Sequence, residues 1–201
     1  LMIRKILLIL LILVIGSSFA LSNLILARDQ SDITVENSNT VIDFPLLLNF
    51  SADIDSALNV SDIRLRYKVD RLTFADVTSE AVVDFTPSDS IRAEYSLDMR
   101  RIGGLPPGTT IYYWWKIVDE TGYEYESNPV KYDVADDRFD WKVLTQGKIN
   151  LHWYEGDQSF AESLMGAAHE ALDYLKETTG AEPEKSIDIY IYHGSQDLQS
   201  S

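Results

Sequence analysis

The chain has 201 residues, 45% hydrophobic and 11% aromatic, enough length for two domains and too apolar to be disordered for most of it. Seventeen Lys and Arg against 32 Asp and Glu give a net charge of −15, which opposes general binding to nucleic acid. Cysteine is absent, so disulfides, thiolate nucleophiles, iron–sulfur clusters and Cys-type zinc sites are excluded.

Arg4 and Lys5 precede an apolar run over 6–15, then Gly16-Ser-Ser-Phe-Ala20, the pattern of a secretory signal cleaved after Ala20. Residues 21–27 are also mostly apolar, and 6–27 read without cleavage is long enough to span a bilayer as one helix. Residues 1–27 are thus expected to be a signal peptide or an N-terminal membrane anchor. Either places the rest outside the cytoplasm, secreted or held at the cell surface, and any membrane contact is expected through this segment alone.

Residues 31–135 alternate with period two and are broken by turn formers, which predicts strands over 33–36, 43–50, 63–69, 81–85, 91–99, 110–119 and 123–134. Such a set of short strands over about a hundred residues is expected of an immunoglobulin-like or fibronectin-like β-sandwich. Within it, Leu105-Pro-Pro-Gly-Thr-Thr-Ile-Tyr-Tyr-Trp-Trp-Lys-Ile-Val-Asp119, followed by Gly122 and Ser127, resembles the late strands of fibronectin type III-like domains. Strand alternation sends Tyr112 and Trp114 one way and Tyr113 and Trp115 the other. One pair is expected in the core, and the other either lies under a neighbouring domain or offers a carbohydrate platform.

Acids recur at Asp53, Asp55, Asp119, Glu120, Asp133, Asp136, Asp137 and Asp140, but no Asp-x-Asp-x-Asp-Gly loop is present. Calcium needs six to eight oxygens converging from a defined loop. A solvated acidic surface is the first expectation, and a calcium between domains the alternative. Asn49-Phe-Ser51 and Asn59-Val-Ser61 are glycosylation sequons that matter only in a eukaryotic secretory route.

The period changes after residue 137. Residues 148–155 alternate as a strand, and Ser159-Phe-Ala-Glu162 has the form of a capping box opening a helix. Phe160, Leu164, Ala168, Ala171, Leu172 and Leu175 would form its core-facing stripe. Gly180 and Pro183 end it, and Ile187, Ile189 and Ile191 alternate along a second strand over 186–193. This predicts a strand–helix–strand crossover, with a further helix starting near Ser195. Two strands and one helix bury too little surface to stand alone. The unit therefore either docks on the sandwich or opens a longer domain, and the second expectation leaves strand 187–192 with an exposed edge.

Asp136-Asp-Arg-Phe-Asp-Trp-Lys-Val-Leu144, then Ile149-Asn-Leu-His-Trp-Tyr-Glu-Gly-Asp157, the Ala- and Leu-rich helix, and Ile187-Asp-Ile-Tyr-Ile-Tyr-His-Gly-Ser-Gln-Asp-Leu198 together resemble the opening of peptidase-MA-like domains in exported bacterial proteins. The resemblance covers about residues 137–198 and implies a gluzincin-type zinc metallopeptidase. In that family a His-Glu-x-x-His helix further downstream binds zinc, and its glutamate activates the metal-bound water. This chain has no such motif. Its nearest approach is His169-Glu170-Ala-Leu-Asp173, which falls within the amphipathic helix and reads as packing. Convergence of the three histidines, His152, His169 and His193, is not required by their spacing.

The expected class is mainly β followed by α+β: a signal or anchor over 1–27, a sandwich over 31–135, and the N-terminal part of a peptidase-MA-like domain over 137–201. The chain is expected to be the non-catalytic front of an exported zinc metallopeptidase, with no catalytic, cofactor or metal residue of its own and zinc only in a longer parent. The alternative is a complete extracytoplasmic binding or adhesion module whose sandwich takes a protein or cell-envelope ligand.

Overall fold

The computed structural model describes residues 32–70 and 77–199, which belong to one compact unit. The expected signal or anchor, 1–27, lies outside the described residues. Among the described residues no helix is long and apolar enough to cross a membrane.

Eight strands build two facing antiparallel sheets, and three more build a small sheet after them. The strands are β1 (Ile33–Asp43), β2 (Leu47–Ser56), β3 (Val60–Val69), β4 (Ser79–Val82), β5 (Ser90–Asp98), β6 (Thr110–Asp119), β7 (Glu124–Glu126) and β8 (Val130–Asp133). One sheet has the order β1-β2-β5; the other runs β4-β3-β6, with β7 and β8 in succession along the free edge of β6. Period-two alternation supplies the core from both. Leu48, Phe50, Ala52 and Ile54 of β2, Ile63 and Leu65 of β3, and Ile111, Tyr113, Trp115 and Ile117 of β6 are buried in a single cluster. Phe50 and Tyr113 meet edge to face across it, 4.8 Å between centroids.

Three boundaries differ from the sequence reading, each for a local reason. The first strand does not stop at Glu36. A bulge with Asn37 at φ 49° shifts the register and lets β1 run on to Asp43. The apolar stretch from Phe44 to Leu46 is a turn, closed by Leu46 N–H donating to Asp43 O at 2.8 Å, because Pro45 has no N–H to give a ladder. The last strand is split, since Ser127 bonds Trp115 through both backbone and side chain and Pro129 follows.

Beyond the sandwich come β9 (Lys142–Gln146), β10 (Ile149–Trp153), helix α1 (Gln158–Thr179), β11 (Ile187–Ile191) and the short helix α2 (Ser195–Gln199). The sheet order is β11-β10-β9, and β10 and β11 are parallel across α1, as the crossover reading required. The helix begins two residues earlier than expected. Asp157, not Ser159, is its N-cap, with the carboxylate accepting from Phe160 N–H at 2.9 Å. Gly180 ends it at φ 71°. A second core gathers Ile149, Leu151, Trp153, Ala161 and Met165, flanked by Leu164, Ala168, Leu172, Ile189 and Ile191.

Candidate functional site

Among the described residues, the side chains that the sequence singles out lie in two places: the histidine-bearing α/β unit and the outer face of the β4-β3-β6 sheet. The histidines are kept apart by the sheet itself. His152 lies on the face of β10 opposite Ile149 and Leu151, with Nε2 2.8 Å from Asp188 and its ring stacked 4.2 Å from that of Tyr190. His169 is on α1, which covers the other face. His193 pairs with Glu155 at 3.3 Å. His169 and Asp173 share a hollow of about 200 Å³ with Lys148 and Lys176. His169 and Asp173 supply two donors where a catalytic zinc takes three from the protein, and Glu182 in the same hollow is tied to Lys176 at 2.6 Å, so these residues do not make a zinc site. Among the described residues no group of three or more His, Asp or Glu could hold a metal ion.

The scattered acids also have structural roles. Asp119, 1% exposed, closes the β6–β7 hairpin by accepting from Thr121 N–H, Thr121 Oγ1 and Tyr123 N–H. Asp53 takes Asn37 and Arg92, and Asp133 takes Thr110 and Lys131. Asp136, 2% exposed, receives Nε and a terminal nitrogen of Arg138 at 2.8 and 2.7 Å and the Tyr192 hydroxyl at 2.9 Å. Burial pushes the Asp136 carboxyl up, but the hydrogen bonds from Arg138 and Tyr192 outweigh it and hold it below the usual carboxylate range. Burial and the adjacent carboxylate together raise Tyr192 well above an ordinary phenol. Arg138 further sits 5.0 Å from the Phe44 ring of the sandwich and 5.2 Å from Phe139. Around this pair Trp141 meets Tyr154, Tyr190 and Tyr192 edge on, with centroids 5.1 to 5.2 Å away. Phe139 stacks on Tyr154 at 4.1 Å. These rings contact one another within the α/β unit, and Arg138 over Phe44 joins them to the sandwich.

The outer face of the larger sheet is different. Its position follows from alternation: Tyr113 and Trp115 are in the core, so Tyr112 and Trp114 point outward, Tyr112 36% exposed and Trp114 half-buried. Register sets their neighbours. Lys68 and Lys131 flank Tyr112 on β3 and β8, while Arg66 is opposite Trp114 on β3. A network of ion pairs runs through this face. Arg66 Nε is 2.7 Å from Glu80 and its terminal nitrogen 2.6 Å from Glu126, whose second oxygen accepts from Trp114 Nε1 at 3.0 Å. Arg64 bridges Asp62 and Glu80, Lys116 reaches Glu124, and Lys131 reaches Asp133. The hydrogen bond from Arg66 holds Glu80 ionised below the usual glutamate range.

Two properties follow. The indole edge of Trp114 is held by Glu126, and Tyr112 turns outward two residues before it on the same strand. Five cations (Arg64, Arg66, Lys68, Lys116, Lys131) face five anions (Asp62, Glu80, Glu124, Glu126, Asp133), a local balance within a chain of net charge −15. Strand alternation alone separates the two aromatic pairs, but no local pattern signals the ionic lattice, which joins residues as far apart as Arg66 and Glu126.

No family model matches the sequence, and no curated protein matches it. Among solved structures the chain is similar to OgpA from Akkermansia muciniphila, with 9% identity over 53% of this chain and a TM-score of 0.41. The match spans 28% of the OgpA chain. It is also similar to BhCBM56, with 10% identity over 48% of this chain and 98% of that one, TM-score 0.28. A third likeness is to the putative ApaA protein from Bordetella pertussis, 14% identical over 54% of this chain and 96% of that one, TM-score 0.35.

Proposed function

We propose that this chain is an extracytoplasmic binding module whose sandwich takes an uncharged carbohydrate on the outer face of β3, β6 and β8. The observation that carries the reading is the Tyr112–Trp114 pair, turned outward on the sheet and framed by paired donors and acceptors. Aromatic faces carry negative potential and accept the C–H bonds of a pyranose ring. The guanidinium and carboxylate groups beside them match hydroxyls, which both donate and accept. The charge balance of the face disfavours an anionic ligand, which the surrounding acidic surface would also repel.

The test is affinity gel electrophoresis against soluble uncharged glucans, mannans and xylans, with heparin as the anionic control. At least one uncharged polysaccharide should retard the protein and heparin should not. Tyr112→Ala and Trp114→Ala should each weaken binding about tenfold, some 1.4 kcal/mol, with the circular dichroism unchanged. Retardation by none of them, or equal retardation of both variants, sinks the reading.

A second reading has one observation in its favour, the parallel β10–α1–β11 crossover. Under it the α/β unit opens a peptidase-MA-like domain, and the chain is the N-terminal portion of an exported zinc metallopeptidase whose His-Glu-x-x-His helix follows residue 201. Zinc content and peptide hydrolysis of the full polypeptide test it. A product without that motif or without bound zinc removes it.

A further inference from the structure

Helix α1 is apolar over a wider arc than its sheet covers. Ala161 and Met165 are buried, and Leu164, Ala168 and Leu172 pack beside them on β10. At 100° per residue, Phe160, Ala167, Ala171 and Tyr174 fall on the adjoining arc, and Leu175, in line with Leu164 and Ala168, extends it at the C-terminal end of the helix. All five are exposed, Phe160 by 41%, Tyr174 by 67% and Leu175 by 48%. Three of them, Phe160, Ala171 and Leu175, belong to the stripe that the sequence assigns to the core. The arc has a defined shape: bulky residues at both ends, two alanines between. It spans 15 residue steps of α1, about 22 Å at 1.5 Å per residue. Its outer border is acidic. Glu170 and Glu177 lie along it, and Glu162 and Asp173 are on the same helix, whose one lysine, Lys176, is tied to Glu182 at 2.6 Å.

We infer that this arc is a docking surface for an amphipathic helix of about four turns from a partner protein, apolar on one stripe and flanked by Lys or Arg. The apolar arc provides the burial, the alanines let a second helix approach closely, and the acidic border selects the sign of the partner's flanks. A second copy of this chain fits poorly, because it would bring Glu170 and Glu177 against their own counterparts. An anionic lipid surface meets the same repulsion. The inference is independent of the carbohydrate reading, which uses the opposite part of the molecule's sequence and a different sheet.

A fluorescent 18-residue peptide of leucine and lysine at amphipathic spacing, and its leucine–glutamate counterpart, are the probes, titrated by anisotropy against the whole chain. The lysine peptide should bind and the glutamate peptide should not. The Tyr174→Ser/Leu175→Ser double variant, changed only at exposed positions, should weaken binding at least tenfold. Glu170→Lys/Glu177→Lys should abolish or reverse the sign preference, whereas Glu94→Lys on the sandwich and Tyr112→Ala should leave it unchanged. Equal binding of both peptides, equal loss in the Glu94 variant, or no loss in the double variant overturns the proposal. So does a homodimer in sedimentation, or binding to anionic vesicles, that Leu175→Ser abolishes, since either assigns the arc to another occupant.

Discussion

The sandwich and the β9–α1–β11 unit are made of similar strands but close their cores in different ways. In the sandwich two sheets bury each other, so every inward residue of β2, β3 and β6 has a partner across the core, down to the fully enclosed Trp115 and Leu65. In the α/β unit a three-stranded sheet meets one helix. Its fully buried set among the described residues is Ile149, Leu151, Trp153, Ala161 and Met165, while isoleucines 187, 189 and 191 of β11 stay half-buried. A sheet of that size with one helix is marginal by itself. The unit is joined to the sandwich through Arg138, which holds Asp136 and lies over Phe44, and through Lys185 Nζ, 3.8 Å from Asp70.

The largest expected effect comes from breaking that junction. Arg138→Ala leaves the Asp136 carboxylate buried against Tyr192 without its cation, which should cost about 3 kcal/mol, toward the low end for a buried pair because Arg138 is 25% exposed. Thermal unfolding by circular dichroism measures the loss, and limited proteolysis locates it: cleavage should appear in 137–199 before it appears in the sandwich. A variant cut first within β1–β8 would show that the junction does not support the unit.

Met165→Ala sharpens the same comparison. Removing this side chain from the thinner core should cost about 2 kcal/mol, and the loss should appear in the unit's hydrogen-exchange protection while Phe50 and Trp115 amides keep theirs. Equal loss of protection in both regions would mean that the two cores unfold as one.

Acid should give the smallest change. Asp136 is depressed in the folded state, so its contribution is complete above the ordinary aspartate range near 4 and declines as pH falls through its lower folded value. Tyr192 is raised, so its contribution is complete below the ordinary phenol range near 10 and is lost as pH rises beyond it. From these two groups stability is flat between about pH 5 and 9. A midpoint in the unfolding free energy inside that window would show that Asp136 and Tyr192 do not set the pH dependence of the junction.

The sandwich pattern of short strands, the outward turn of one aromatic pair of β6, the crossover and the end of α1 at Gly180 all followed from patterns within ten or twenty residues, whereas the split of the last sandwich strand into β7 and β8 and the extra strand β9 did not. Alternation, turn chemistry and helical period are local, and short-range sterics enforce them whatever the rest of the chain does. Which apolar residues become core is not local. Phe160, Ala171 and Leu175 satisfy the helical stripe as well as Leu164 and Leu172 do, yet only the latter pair finds β10 beneath it. The lattice joining Arg66 to Glu80 and Glu126, and the capture of Asp136 by Arg138 and Tyr192, likewise depend on which strands come to lie side by side. The sequence by itself determined the elements and the face each residue takes. Only the tertiary structure decided which faces were covered and which charges met, because burial and ion pairing are properties of neighbours in space, and those neighbours lie far apart in the chain, as Arg66 and Glu126 or Lys185 and Asp70 do.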